Sequence, residues 1–503
     1  MTTLADLHAA GIGVELRGEP RTVVRGVHHD SRQLAPGDLF VAIVGQQSRG
    51  EDFARDAERR GAAAIATETW IEGVSIPQLK VANARRALAL AADLVHGMPT
   101  ALLCGIGVTG TNGKTTTTWI LDEALTALGA RPSLLGTVET RGPGLREPSA
   151  FTTPEGDAVA RFAARMREGG ATHLVMEVSS HALALHRADG VRFSVVAFTN
   201  LTQDHLDFHG SMEAYGEAKA RLFGDAFGAP HRVVRIDDPF GAALAERLGS
   251  AAITVSRRQD ATVRATNVSI DRSGVRADVR SPWGALRLES PLLGGHNLDN
   301  LLVAAACLLP LGHAPADVAR ALGQAVGAPG RLERVHDPRD VAVLVDYAHS
   351  PDALENVLGA LRPLTPGRLL CVFGCGGDRD RTKRPRMGEA AGRHADVVIV
   401  TSDNPRTEDP GAIVDAVLPG LLAAGSTRLA PSELPAATRG HVVEVDRRSA
   451  IERALHAARP GDTVLIAGKG HEPYQILGHD RIAFDDRVEA RRAIDAACAG
   501  APS

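Results

Sequence analysis

"GVTGTNGKTTTTWI", Gly107 to Ile120, is the stretch on which the reading of the fold turns. Ahead of it, Ala101 to Val108 is mostly apolar and reads as a buried strand. Behind it, Trp119, Leu121, Leu125 and Leu128 recur at helical spacing as far as Gly129, a C-terminal stop. A strand, a glycine-rich turn and a helix N-terminus in that order make an anion cradle. Backbone N–H groups and the positive end of the helix dipole face the ligand, Lys114 reaches the β- and γ-phosphates, and Thr115 stands where Mg²⁺ needs a hydroxyl. The strict spelling G-x-x-x-x-G-K-[ST] fails at its first position, which is Val108. A plain glycine turn with a solvated lysine is the competing reading; nucleotide binding is the working premise.

Outward from the turn, "THLVMEV" (172–178) and "FSVVAFTN" (193–200) read as buried strands that release polar residues at their carboxyl ends. The first delivers Glu177, Ser179, Ser180 and His181, the second Asn200, Asp204 and His205. In open α/β sheets ligands bind at that edge. Lys114, Thr115, Glu177 and His205 together could hold a nucleotide's phosphates and one or two Mg²⁺ ions, which prefer oxygen ligands. Alone, Glu177 reads as a helix cap or surface charge, and His205 in "NLTQDHLDFHG" as a structural histidine; the neighbouring phosphate turn is what selects them.

Upstream, "GDLFVAIVG" (37–45), "AAAIATE" (62–68) and "IPQLKVAN" (76–83) are short β-like runs, closed by a helical segment, Ala84 to His96, and a boundary near residue 98. Downstream of "GAPGRLERV" (327–335), four apolar strands each end in a polar cluster: "VAVLVDYAHSP", "RLLCVFGCGGDRD", "ADVVIVTSDNPR" and "DTVLIAGKGHE". That repetition argues a second doubly wound unit starting near residue 332. The expected class is α/β, in three domains: 1–98, 99–332 with a parallel sheet around the phosphate loop, and 333–503, Rossmann-like. Loops of the last domain concentrate Arg379, Arg381, Arg384, Arg386, Asn404 and Arg406, forks that match carboxylates or phosphates, against the alternative of a basic solvated surface.

Composition narrows the classes further. The 503 residues suit about three domains, and a hydrophobic share of 44% with 23% charged describes a soluble globular chain. A net charge of −4 offers no field for nucleic acid. The five cysteines are an odd, scattered set, Cys371 and Cys375 have no second pair to complete a zinc site, and the start carries no signal-like segment. A reduced, cytoplasmic setting follows. No apolar run reaches the roughly 18–20 residues of a membrane span.

"GVTGTNGKTT", "FTTPE", "EVSSHAL", "FTNLTQDHLDFHG", "EAKARLF", "GHNLDNLLVAAA", "PGRLERV", "DYAHSP", "FGCGGDRDRTKRP", "DNPRTEDP" and "GKGHEPYQ" follow one another in the order seen in Mur ligases, whose own phosphate loop is spelled T-G-T-N-G-K-[ST]. From about Ser31 to Glu472 the chain resembles that family, and within it the members that add meso-2,6-diaminopimelate to UDP-MurNAc-L-Ala-D-Glu in peptidoglycan synthesis. The resemblance implies an amino-terminal domain for the UDP moiety, a central ATPase and a carboxyl-terminal domain for the amino acid, with ATP and Mg²⁺ required and a monomer expected.

Residue by residue, it implies ATP contacts from Gly110, Thr111, Asn112, Gly113, Lys114, Thr115, Thr116, Asn300, Arg331 and Asp346, with His349 beside them. Ser31, Thr152, Thr153, Ser179 and Arg187 resemble contacts to the UDP-linked substrate. Asp403, Asn404, Pro405 and Arg406, supported by Arg379, Gly468 and Glu472, resemble the diaminopimelate site. Lys219 matches a lysine carbamylated in the family, an anion that would orient a metal beside Thr115, Glu177 and His205; from its position on a helix alone it reads as a surface residue. Arg406 supplies a bidentate partner for the distal carboxylate that distinguishes diaminopimelate from lysine, and a site that leaves an arginine unpaired can discriminate by about 10⁴. Leu185, where many relatives carry glutamine, and "SRGEDF" (48–53) depart from the family pattern. Rivals are an L-lysine-adding or other Mur ligase, a folylpolyglutamate-synthase-like enzyme, and, in another class, a P-loop switch or scaffold. "DNPR" weighs against lysine and "DSRQLAPGDLF" against folate.

Overall fold

Cys104–Thr109 organises the middle of the chain in the computed structural model, which describes residues 1–45 and 49–499. Ser48, part of one departure from the family pattern, lies outside the described residues. The strand pairs in parallel with His173–Glu177 on one side and Val195–Phe198 on the other. Parallel pairing continues outward to Pro132–Leu135 in one direction and through His231–Arg235 and Ala252–Ser256 to Val263–Asp271 in the other. Parallel strands are covered on both faces, so they carry continuous apolar runs: Leu174 to Met176 and Val195 to Phe198 are wholly buried. Leu174, Met176, Val196 and Phe198 share a core with Val159, Phe162 and Met166 of the helix Gly156–Glu168.

The expected strand at Ala101–Val108 begins later. Pro99–Leu102 is a turn of 3-10 helix, with the fixed φ of proline at its first position. Gly274–Arg280 and Leu286–Ser290 extend the sheet on one flank, and the antiparallel hairpin of Glu139–Gly142 with Leu145–Pro148 caps the other. Neither extension carries the continuous apolar run of the central strands: Gly274–Arg280 and Leu286–Ser290 alternate buried with more exposed residues, and the hairpin strands are partly or largely exposed.

The amino-terminal strands form a sheet of their own in the order Glu15–Arg17, Gln78–Lys80, Ala64–Thr67, Leu39–Val41, Val27–His28. The helix Ala84–Val95 packs on it through Leu88, Ala91 and Ala92. The carboxyl-terminal sheet runs Glu333–Val335, Ala342–Asp346, Thr463–Ala467, Leu369–Cys375, Val397–Ser402, Gly440–Val443, parallel except for the first strand. All four strands expected here are present, in the order first, fourth, second, third. The edge strand Gly440–Val443 was not anticipated.

Two compact units result: residues 1–268 with 277–290 and 299–325, and residues 326–503 with 269–276 and 291–298. Among the described residues no helix is long and apolar enough to cross a membrane.

Candidate active site

In the first unit, three strand ends converge where the strand order reverses, the position at which open α/β sheets bind ligands. The loop from Gly110 to Gly113 leaves Cys104–Thr109 and feeds the helix Lys114–Ala127. Gly113 has φ +87°, and a Cβ there would overlap Asn300 Oδ1, so only glycine lets this turn close against the helix Gly295–Leu308. Asn300 Oδ1 also accepts from Thr117 Oγ1 at 3.3 Å. The end of the next strand ties the loop down. Asn200 Oδ1 accepts from Asn112 N at 2.9 Å, and Asn200 Nδ2 and Thr199 Oγ1 both donate to Asn112 O.

Glu177, at the end of His173–Glu177, is wholly buried rather than a surface charge. It accepts from Thr115 Oγ1 at 2.9 Å, from Thr137 N at 2.7 Å and from Thr137 Oγ1 at 3.1 Å. All three donors are neutral. A carboxylate and a threonine hydroxyl, in contact at a phosphate loop, are the hard oxygen donors that Mg²⁺ takes alongside phosphate.

Lys219 overturns the expectation of a surface residue. Its helix Met212–Ala220 turns Lys219 inward at 1% exposure, over the ring of Tyr215 one turn earlier. Lys219 Nζ donates to Gly110 O at 2.8 Å, and Lys114 Nζ donates to the same oxygen at 2.9 Å and to Thr111 O at 2.8 Å. Burial, then the charge of Lys114, pushes the Lys219 amine well below its ordinary pKa. Burial raises Tyr215 to about 12.

His205 stands edge-on to Tyr215, ring centres 6.1 Å apart. Its φ of +52° is a left-handed conformation rare for a side chain, its ring is about half exposed, and it stands edge-on to His181 with ring centres 4.8 Å apart. Among the described residues no group of three or more His, Cys, Asp or Glu side chains is placed to hold a metal.

The residues expected at the UDP-linked substrate lie along the same unit. Thr152 Oγ1 meets Thr137 Oγ1 at 3.0 Å; Thr153 Oγ1 donates to Glu177 O and accepts from Ser179 N. Ser179 caps the helix Ser180–Ala184. Arg187 donates to Thr153 O and pairs with Glu155 at 2.9 Å. Ser31 is buried and donates to Asp56 Oδ2 at 3.1 Å, at the foot of the amino-terminal sheet.

In the second unit Asp346 is buried, accepts from Leu332 N and Ala348 N, and has its carboxyl pKa raised by burial against the opposing charge of Arg331. Arg331 lies over Tyr347, whose ring also meets His349 and His471. Burial, with Arg331 and Arg487 nearby, drops His471 to about 4.

Across that sheet edge Asp403 and Asn404 follow Val397–Ser402, and Arg406 adopts φ +52° with its guanidinium donating to Gly377 O at 2.8 Å. Asn404 Nδ2 donates to Glu472 Oε2 at 2.9 Å. Gly468, at φ +116°, leaves room for Asp403 Oδ2, which a Cβ would meet at 2.5 Å. Arg379 is exposed. The basic loop divides: Arg384 is buried on Glu408 at 2.8 Å and is committed within the fold, while Arg381, largely exposed, reaches the same carboxylate at 2.9 Å from the surface.

Four participants were missed. Asn200 was read only as a polar strand end, and Thr137 carries no spacing signal. Tyr215 could have been found four residues before Lys219, on the same helical face. Lys469 was quoted within "GKGHE" but given no role.

Residues 23–96 match the family model described as Mur ligase family, catalytic domain; 108–308 match Mur ligase middle domain; 330–470 match Mur ligase, glutamate ligase domain. The chain is 44% identical over 488 residues to the UDP-N-acetylmuramoyl-L-alanyl-D-glutamate–2,6-diaminopimelate ligase of Gloeobacter violaceus, covering 96% of each chain. It is 43% identical over 491 residues to the enzyme of the same name from Geobacter metallireducens, covering 95% of this chain and 96% of that one. A solved structure of a ligase of that name superposes with a TM-score of 0.74 at 33% identity, covering 98% of this chain and 99% of the other.

Proposed function

Since the chain belongs to the Mur ligase family, we propose that it joins meso-2,6-diaminopimelate to UDP-MurNAc-L-Ala-D-Glu in an ATP-driven reaction. It is a C–N bond-forming ligase of peptidoglycan precursor synthesis. The observation that carries the chemistry is the buried contact of Thr115 with Glu177 at the phosphate loop. The D-glutamyl carboxylate attacks the γ-phosphorus of ATP, ADP leaves, and an acyl phosphate forms. The amine of diaminopimelate then attacks the acyl carbon; the tetrahedral intermediate expels phosphate as the nitrogen loses its proton, leaving an amide. Lys114 and the loop N–H groups offset charge on the transferring phosphoryl group. Thr115 and Glu177 would hold Mg²⁺, which would supply further positive charge there.

Lys219 is assigned a carbamate. A buried amine with a depressed pKa is neutral and nucleophilic, so it adds CO₂, forming the N–C bond and releasing one proton. An ammonium on Lys219 would be repelled by Lys114, which donates to the same Gly110 O; a carbamate on Lys219 turns that repulsion into attraction. His205, beside Tyr215, serves the same site. Asn300, Arg331 and Asp346 serve ATP; Ser31, Thr152, Thr153, Ser179 and Arg187 serve the UDP-linked substrate; Arg379, Asp403 to Arg406, Gly468 and Glu472 serve diaminopimelate. The division of labour runs 1–98, 99–332 and 333–503, in a cytoplasmic monomer.

The test is phosphate release by purified protein with ATP, Mg²⁺ and UDP-MurNAc-L-Ala-D-Glu. Release that needs meso-diaminopimelate and is weak with L-lysine supports the assignment; equal release with both removes the role given to Arg406, and release indifferent to any acceptor removes the ligase.

A further inference from the structure

Lys469 is 0% exposed, at the end of the strand Thr463–Ala467, and the roles assigned so far leave it unused. Burying a lysine is costly unless its charge is matched, so its surroundings should say what it does. Its Nζ lies 3.2 Å from Asn404 Oδ1, 3.4 Å from Glu472 Oε2 and 3.8 Å from Asp403 Oδ1, with the ring of Tyr474 at 5.5 Å. Three of the residues assigned above to the amino-acid substrate therefore share one ammonium.

The geometry fixes the orientation of the Asn404 amide. Its Oδ1 accepts from Lys469 Nζ and from Ile476 N at 3.0 Å, two donors that force the NH₂ group to the other side. There Asn404 Nδ2 donates to Glu472 Oε2. With Oε2 holding both Asn404 and Lys469, Oε1 is the oxygen that Glu472 can offer to an acceptor's ammonium. The same charge sets the balance of the pocket: Arg447 is committed to Asp486 and Arg379 is exposed, with Arg406 and Lys469 beside two carboxylates, Asp403 and Glu472. Lys469 offsets one of them, so an acceptor bringing a carboxylate of its own meets no net repulsion.

We propose that Lys469 is a positioning residue that sets acceptor specificity, fixing Asn404 and Glu472 and balancing the charge so that an amino acid with a distal carboxylate is preferred over one ending in an ammonium alone. This rests on the diaminopimelate reading of the site. Removing the charge exposes two carboxylates to the acceptor, which penalises diaminopimelate and spares lysine.

Lys469→Gln keeps a donor and loses the charge; Lys469→Met loses both. For each, kcat/KM is measured with meso-diaminopimelate and with L-lysine, alongside KM for ATP. The expected result is a fall of at least about tenfold in the diaminopimelate-to-lysine ratio in both variants, carried by KM for the amino acid, with KM for ATP within about twofold of wild type. An unchanged ratio, whether activity is retained or lost equally for both acceptors, overturns the proposal. If neither variant folds, the crystal structure of the wild-type protein with meso-diaminopimelate decides: Lys469 must keep Asn404 and Glu472 with Oε1 facing the acceptor's ammonium, and a Lys469 turned away from them overturns the role. Wild-type protein without diaminopimelate-dependent phosphate release defeats the underlying reading instead, so the two failures are distinguishable.

Discussion

Thr137 holds Glu177 with both its N–H and its hydroxyl, and that makes one methyl-for-hydroxyl exchange informative. Thr137→Val keeps the shape and removes one donor to a buried carboxylate, a loss of about 1.5–3 kcal/mol. We expect kcat to fall about 10- to 100-fold with KM for diaminopimelate little changed, measured by steady-state phosphate release; a kcat within about twofold of wild type would mean that Glu177 is oriented by other groups. For Lys219 the expectation is a carbonyl signal in ¹³C NMR on adding labelled bicarbonate, absent in Lys219→Met, whose activity drops at least about 100-fold. A labelled wild-type protein without that signal would leave Lys219 an ordinary buried amine. These two residues mark the limits of reading a sequence. The phosphate loop was legible because its chemistry needs glycines and a lysine at fixed spacing. Burial of Lys219 was not, because four residues of "EAKA" are compatible with either face of a helix, and a lone threonine hydroxyl such as Thr137 has no pattern at all. Arg381 and Arg384 misled in the opposite direction: a run of arginines looks available until its carboxylate partner, Glu408, is seen across the fold.

Between elements, the buried pair of Arg447 with Asp486 clamps the helices Arg447–Ala457 and Asp486–Ala499 onto the carboxyl-terminal sheet. Arg447 Nε and Nη2 reach the carboxylate at 2.8 and 2.7 Å, and Nη2 also donates to Ala467 O. Arg447→Met strands a buried carboxylate and should cost about 3–5 kcal/mol, read as a lower denaturant midpoint for the carboxyl-terminal transition; an unaltered midpoint would mean that the helices hold without the pair. A second joint ties the amino-terminal sheet to the helix Gly156–Glu168 through His29 and Asp157 at 3.0 Å, with Arg161 donating to Asp157 and to Val27 O. Burial works against a charged His29, but the hydrogen bond and charge of Asp157 outweigh it and its pKa is raised. A base whose folded pKa is raised stabilises below its unfolded value of about 6.5, and that contribution fades as pH climbs through the higher folded value. His29→Gln should therefore narrow the stability difference from wild type between pH 6 and pH 8.5; a constant difference across that range would place the joint's strength in packing. The strands that build these elements were mostly legible, since central parallel strands are apolar throughout. The edge strand Leu145–Pro148 was not, because it is largely exposed, and Gly440–Val443, though mostly buried, is a four-residue strand that opens on glycine and histidine.

At the scale of the whole molecule the histidines lean one way. Burial lowers His28, His96, His173, His181, His209, His441 and His471, the last to about 4, while His29 alone among the resolved shifts is raised. The unfolded chain takes up protons near pH 6.5 that the folded chain refuses, so stability is lost as pH falls from about 6.5 toward 4. The first thermal transition should lie several degrees lower at pH 5.5 than at pH 7.5, and an equal or higher midpoint at pH 5.5 would contradict the burial seen here.

The most direct measurement of the central claim follows one oxygen atom. UDP-MurNAc-L-Ala-D-Glu carrying ¹⁸O in the D-glutamyl side-chain carboxylate is turned over with ATP, Mg²⁺ and meso-diaminopimelate, and the released phosphate is analysed by mass spectrometry. Activation as an acyl phosphate at the phosphate loop predicts one carboxylate oxygen in each phosphate formed. Unlabelled phosphate accompanying amide formation would contradict it.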